Sequence, residues 1–159
     1  INSWRLPLPE VSTAEAAEVL AINTLAPFTI NSRLHPLLVR SPEPLRFVVN
    51  VSAMEGKFSR YKTPNHPHTN MAKAALNMMT ATAAADYASC GIYMNAVDTG
   101  WINDENPRDV AARTAAAGFQ TPIDEVDAAA RVCHPIFHGV ETGAPLFGVF
   151  LKDYVECEW

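Results

Sequence analysis

A lysine, two histidines and a threonine fall within eight residues of one another in the stretch HPHTNMAKAALNMMT, residues 66–80. Each can hold or move a proton. Thr69 and Lys73 stand four residues apart, a spacing that puts two side chains on one face of a helix. His66 and His68 carry the side chain that titrates nearest neutral pH. Upstream, Asn50-Val51-Ser52-Ala53 offers a hydroxyl at the end of an apolar run, and Tyr61 a phenol in the intervening polar segment. Proton transfer, as in general acid/base catalysis, is the chemistry these types suit.

Other groupings carry less. His134 and His138 stand four apart around Pro135, with Cys133 adjacent, but no third ligand is spaced to complete a metal site, so no metal is expected. Histidines placed near a helix C-terminus are the plainer reading. Asn50-Val51-Ser52 fits a glycosylation sequon by chance, at a strand end. Met71, Leu76, Met78 and Met79 read as packing rather than as a ligand box. Cys90, Cys133 and Cys157 are scattered and odd in number, which suits free thiols in a reducing compartment. That favours the cytoplasm, or an organelle if a targeting segment precedes the chain.

The elements that must position these residues alternate. Ser12-Thr13 opens a helix over about 13–37, kinked at Pro27. The run LRFVVNVSA (45–53) is a strand, continuous enough in apolar residues to be covered on both faces. Residues 56–67 are loop, and an Ala- and Met-rich helix over about 69–89 ends at Gly91. IYMNAV (92–97) is a second strand, 98–107 a loop, 108–117 a weaker helix. A further helix spans 121–137 with Thr121 or Asp124 as cap, and APLFGVFL (144–151) is a last strand. Strands alternating with crossover-length helices predict an α/β fold, a three-layer Rossmann-like parallel sheet.

Length and charge agree. At 159 residues the chain suits one domain, and a formal charge of -5 argues against a nucleic-acid partner. No apolar run approaches the ~20 residues that cross a bilayer, so no membrane partner is expected, and the start lacks a signal peptide's basic and apolar regions.

Several stretches together resemble the short-chain dehydrogenase/reductase family. LAINTLAPF is similar to that family's central helix, with Asn23 at its active-site asparagine, and RFVVNVSAMEG to the strand that ends in the catalytic serine. HTNMAKAALNMMT resembles the helix bearing Tyr-x-x-x-Lys, GIYMNAVDTGW the next strand and its Pro-Gly loop, and GAPLFGVFLKDY the final strand. The resemblance covers the second half of a family member. It implies NAD or NADP as cofactor, contacted by Lys73, Val51, Thr99, Gly100 and Ile102, and a catalytic set of Asn23, Ser52, Thr69 and Lys73.

Two positions depart from the family's pattern. Thr69 stands where the tyrosine would be, and an aliphatic alcohol is far less acidic than a phenol of pKa ~10. Ala53 stands where the second serine of Asn-x-Ser-Ser would be, so Ser52 substitutes only if the strand end is shifted. His68, or Tyr61, is the nearest replacement acid, although His66-Pro67-His68 also reads as a rigid lead-in to the helix. No G-x-x-x-G-x-G occurs among the seven glycines, so the turn that seats a dinucleotide pyrophosphate has no counterpart. Residues 1–159 are therefore expected to be a partial Rossmann-like domain, holding no cofactor alone. A missing N-terminal half or a partner chain should cover the open edge of strand 45–52. Helices 13–37 and 69–89, with Ala72, Ala75, Ala81, Ala83, Ala84 and Ala85 allowing close approach, are expected to pair in a homodimer.

Three activities compete: an oxidoreductase of impaired activity, a non-catalytic binding or assembly subunit, and a different reaction that needs no phenol.

Overall fold

The run Phe47-Val48-Val49 and the stretch Ile92–Val97 become the two central strands of the sheet. The structure is a computed structural model and describes residues 2–103 and 106–159; Asp104 and Glu105, in the expected loop 98–107, lie outside the described residues. Strand β1 (Arg46–Ser52) runs parallel to β2 (Ile92–Asp98), in register from Arg46 opposite Ile92 to Ser52 opposite Asp98. Strand β3 (Phe150–Lys152) pairs parallel on the other side of β2, and β4 (Val155–Cys157) closes the sheet antiparallel to β3. The order is β1-β2-β3-β4, a mixed sheet rather than a purely parallel one.

The fourth strand was not expected. It follows a two-residue turn in which Asp153 and Tyr154 both take positive φ, 48° and 71°. Such a turn usually announces itself with glycine or asparagine, and this one does not. Its position is held by Arg131, whose Nε donates to Asp153 Oδ1 at 3.0 Å. That hydrogen bond holds the Asp153 carboxyl below its ordinary range.

The last strand is also shorter than the apolar stretch 144–151 suggests. Asn95, fully buried in β2, donates to the Leu146 carbonyl at 2.8 Å, and its Oδ1 accepts from Val149 N at 3.4 Å. A side chain thus satisfies backbone groups that a ladder would otherwise use, and regular pairing begins only at Phe150.

On the first face of the sheet lie α1 (Thr13–Leu20), α2 (Ala26–Arg40) and α3 (Pro67–Ser89). Ser12 caps α1, its hydroxyl accepting from Glu15 N. Between α1 and α2, residues Ala21–Leu25 form a π-helical turn, in which Ala26 N bonds Ala21 O. The expected proline kink is therefore a widened turn. Pro27 has no N–H to give the Asn23 carbonyl, and the chain resolves that loss with a π-bulge before resuming as α2. The helix then continues through Pro36 to Arg40, beyond the expected end at 37.

Helix α3 starts at Pro67, because His66 turns the chain in left-handed conformation (φ 42°) and proline suits a first turn. Its inward face is polar as well as apolar: Asn50 Nδ2 donates to Thr80 Oγ1 at 2.9 Å, and Asn31 Nδ2 donates to Asn50 Oδ1 at 3.0 Å. Asn50, the sequon asparagine, is buried and committed to this network. Helix α4 spans Arg108–Ala116.

The opposite face is covered by α5 (Glu125–Thr142). Asp124, not Thr121, caps it through a reciprocal capping box with Asp127, and the helix passes Pro135 to stop at Gly143 rather than at 137. A Cβ on Gly139 would lie 2.8 Å from the Phe47 ring, so glycine there sets how closely α5 approaches β1. Three layers result, with Leu76, Ile92, Met94, Val97, Phe150 and Leu151 at the centre.

Coverage is uneven. Strand β2 is buried along nearly its whole length, whereas Val51 of β1 is 44% exposed and β1 pairs only with β2 among the described residues. No residue of α1 or α2 is fully buried, and Ile22, Leu25, Phe28 and Leu37 are each more than half exposed. No helix of the described residues is long and apolar enough to cross a membrane.

Candidate active site

The carboxyl ends of β1 and β2 open into a cleft of about 620 Å³, where ligands of open α/β sheets bind. Its walls come from the end of β1 (Val51, Ser52, Ala53), the turn Met54–Glu55, the start of α3 (Thr69, Lys73), the segment Asp98–Asn103, and Lys152 of β3.

Lys73 is held at the back of this cleft. Its Nζ donates to the Val51 carbonyl at 3.0 Å. Burial pushes its ammonium below the usual lysine range, and the Glu55 charge acts in the opposite sense. Thr69 lines the same wall one turn earlier, as the four-residue spacing requires. The backbone beneath is fixed by Gly56, where a Cβ would come within 2.6 Å of the Lys73 carbonyl carbon and 2.7 Å of Asn77 Nδ2. Only a glycine lets the turn after β1 sit directly on α3 at the lysine.

The remaining sequence-derived residues divide. Val51, Thr99, Gly100 and Ile102 all line the cleft. Ser52 does so with its surroundings but not with its hydroxyl, which is buried and donates to Asn77 Oδ1 inside α3. Ala53 follows it, in the cleft wall at the end of β1. Asn23 lies in the π-turn with its Nδ2 donating to Val19 O at 3.1 Å, and it is not in the cleft wall. The neighbouring Thr24 donates to the Ala72 carbonyl at 3.1 Å, tying that turn to α3 just before Lys73. His68 is buried with Nδ1 unpartnered and does not line the cleft. Tyr61 is 92% exposed and also outside it.

His66 has a structural role. Its ring stacks on Trp4 with centroids 4.0 Å apart, and its Nδ1 lies 2.8 Å from the Trp4 carbonyl. This brings Trp4 from the first turn of the chain into the cleft wall. His134 packs edge-on to Tyr154, 5.3 Å between centroids, and no group of three or more metal-ligating side chains occurs among the described residues.

Sequence reasoning missed Glu55, Arg60, Asp98 and Lys152, all in the cleft wall. Asp98 and Lys152 sit opposite each other across β2 and β3, and their ion pair closes at 3.3 Å. Asp98 Oδ1 also accepts from Gly100 N at 2.7 Å, which shapes the Thr99–Gly100 turn. Arg60 makes no ion pair among the described residues.

A family model described as enoyl-(acyl carrier protein) reductase matches residues 3–132. This chain belongs to the short-chain dehydrogenase/reductase family. Among solved structures of that fold it is similar to Pseudomonas aeruginosa RhlG in its NADP active-site complex, with TM-score 0.71, 21% identity, and coverage of 96% of this chain and 61% of that one. The NADPH-bound carbonyl reductase from chicken fatty liver aligns with TM-score 0.63 and 18% identity, over 99% of this chain and 62% of that one. Protein R665 of Acanthamoeba polyphaga mimivirus, described as uncharacterized, is 36% identical over 143 residues, which cover 86% of this chain and 30% of that protein. The chain therefore spans about three fifths of these structures and under a third of the viral relative.

Proposed function

We propose that this chain supplies the lysine-bearing end of a nicotinamide-dependent oxidoreductase site, and that its capacity for hydride transfer is low. The observation that carries the reading is Lys73 held on Val51 in a cleft at the strand ends, with Thr69 rather than a phenol on the same face. Lys73, Val51, Thr99, Gly100 and Ile102 would face the nicotinamide end of NAD or NADP. The dinucleotide's pyrophosphate would be seated by a glycine-rich turn supplied from outside residues 1–159, on a segment that pairs along the open edge of β1. The exposed Val51 and the exposed apolar residues of the π-turn and α2 support such a covering segment. A second copy packing on α3 through Met71, Met78, Ala81 and Ala85, all exposed, completes the proposed assembly; light scattering reads it as a dimer mass.

Trp4 and Trp101 line the cleft and report on its occupancy. Titration of residues 1–159 with NADPH or NADH should give no saturable change in tryptophan fluorescence. A chimera carrying the family's glycine-rich βαβ segment ahead of residue 1 should give one, weakened by Lys73→Met. No binding by the chimera would sink the proposal. The second reading, a binding or assembly element without chemistry, is favoured by Ala53 and by the Ser52 hydroxyl being spent on Asn77. It predicts binding in the chimera with no nicotinamide oxidation at all.

A further inference from the structure

The chain has four lysines, which differ in surroundings. Lys57 is buried, with its Nζ 5.0 Å from the Phe150 ring centroid. Lys152 is ion-paired with Asp98 and with Asp153, at 3.3 and 3.5 Å. Lys62 donates to the carbonyls of Met54 and Glu55, at 3.3 and 2.6 Å. Lys73 differs. It lines the open cleft, which Lys62 does not, and among the described residues it makes no ion pair, which Lys152 in the same cleft does; its Nζ donates to a backbone carbonyl.

We propose that Lys73 is a carbonyl-capturing amine: it condenses with a small aldehyde or ketone carrying a carboxylate to form an imine, without any nicotinamide. The reaction balances without a further reagent. The ammonium first gives a proton to water in the cleft. The amine's lone pair attacks the carbonyl carbon, the C=O pair moves to oxygen, and that oxygen takes a proton. One of the nitrogen's two protons passes through cleft water to the carbinolamine's hydroxyl, the C–O bond breaks and water leaves, and nitrogen gives its last proton to water as C=N forms: R–CHO + H₂N–Lys73 → R–CH=N–Lys73 + H₂O. Val51's carbonyl keeps one N–H in place while the lone pair reacts. The burial that depresses the ammonium's pKa enlarges the free-amine fraction at neutral pH, as desolvated lysines of this kind require. Arg60, in the same wall and without an ion pair among the described residues, is the group that would receive the carboxylate.

The inference stands apart from the oxidoreductase proposal, because the test contains no cofactor. Residues 1–159 are incubated with glyoxylate and cyanoborohydride, which delivers hydride to the imine carbon and fixes it as a secondary amine. Intact mass and peptide mapping then locate the adduct. Beside the adduct that the N-terminal α-amine gives in every variant, one lysine adduct per chain is expected, on the Lys73 peptide, lost in Lys73→Arg and kept in Lys62→Arg, with both variants checked for a native circular dichroism spectrum and melting curve. Arg60→Ala should bring labelling by glyoxylate down to that by acetaldehyde. Labelling spread over the lysines, or carried by Lys62 rather than Lys73, would overturn the capture role. A glyoxylate preference that survives Arg60→Ala would overturn the carboxylate site.

Discussion

Placing tyrosine at residue 69 and serine at residue 53 should raise carbonyl reduction by roughly 10²–10⁴-fold, the range a positioned general acid contributes. The comparison is between the chimera bearing the glycine-rich segment and the same chimera with Thr69→Tyr and Ala53→Ser. Lys73 already occupies the wall one turn from residue 69, so a phenol there would have an ammonium neighbour to lower its pKa. A threonine hydroxyl has no comparable acidity for that ammonium to tune. Residue 53 follows directly on the end of β1 in the cleft wall, whereas Ser52 points inward to Asn77, so the new hydroxyl must come from position 53. Nicotinamide oxidation followed under saturating aldehyde measures the gain. Equal rates in the two chimeras would mean that proton transfer is not what limits this site.

The second large effect concerns the support of the cleft. Phe150→Ala should destabilise the chain by about 3–5 kcal/mol, the cost of emptying a fully packed aromatic site. Phe150 is fully buried at the start of β3, its ring 6.1 Å from that of Trp159. The Lys57 ammonium over its face adds a cation–π contribution of roughly 0.5–2 kcal/mol, which Phe150→Leu removes while keeping most of the volume. Urea midpoints of the three proteins separate the two contributions. A loss below about 1 kcal/mol for the alanine variant would show that β3 is not anchored by this ring. Lys152, two residues on, pairs with Asp98 in the cleft wall, so loosening β3 also releases that ion pair.

The framework was readable where one physical signal dominated. Continuous apolar runs marked β1 and β2, and Gly91, at φ 73°, ended α3 as expected. Reading failed where a side chain replaced a backbone rule. Asn95 bonds the segment before β3, so an apolar stretch that looks like eight residues of strand yields only the last part. Asp153 and Tyr154 hold positive φ without glycine, hiding β4. A proline at 27 signals a break but not its kind, and the π-turn needs the tie from Thr24 to Ala72 to be seen.

The site divides along the same line. Thr69 and Lys73 were legible because helical spacing alone puts them together. Asp98 and Lys152 were not, since their meeting depends on a register between strands far apart in sequence. Ser52 and His68 look reactive in the sequence, but both side chains are buried, the serine against α3 and the histidine outside the cleft wall. Burial decides such cases, and no spacing rule reports it.

The account turns on Lys73 lacking a phenolic partner at the end of this sheet. The most direct measurement is nicotinamide oxidation by residues 1–159 supplied with NADPH and a panel of aldehydes and ketones. The predicted rate is that of the same mixture without protein. Sustained turnover, with one nicotinamide oxidised for each carbonyl reduced, would contradict it.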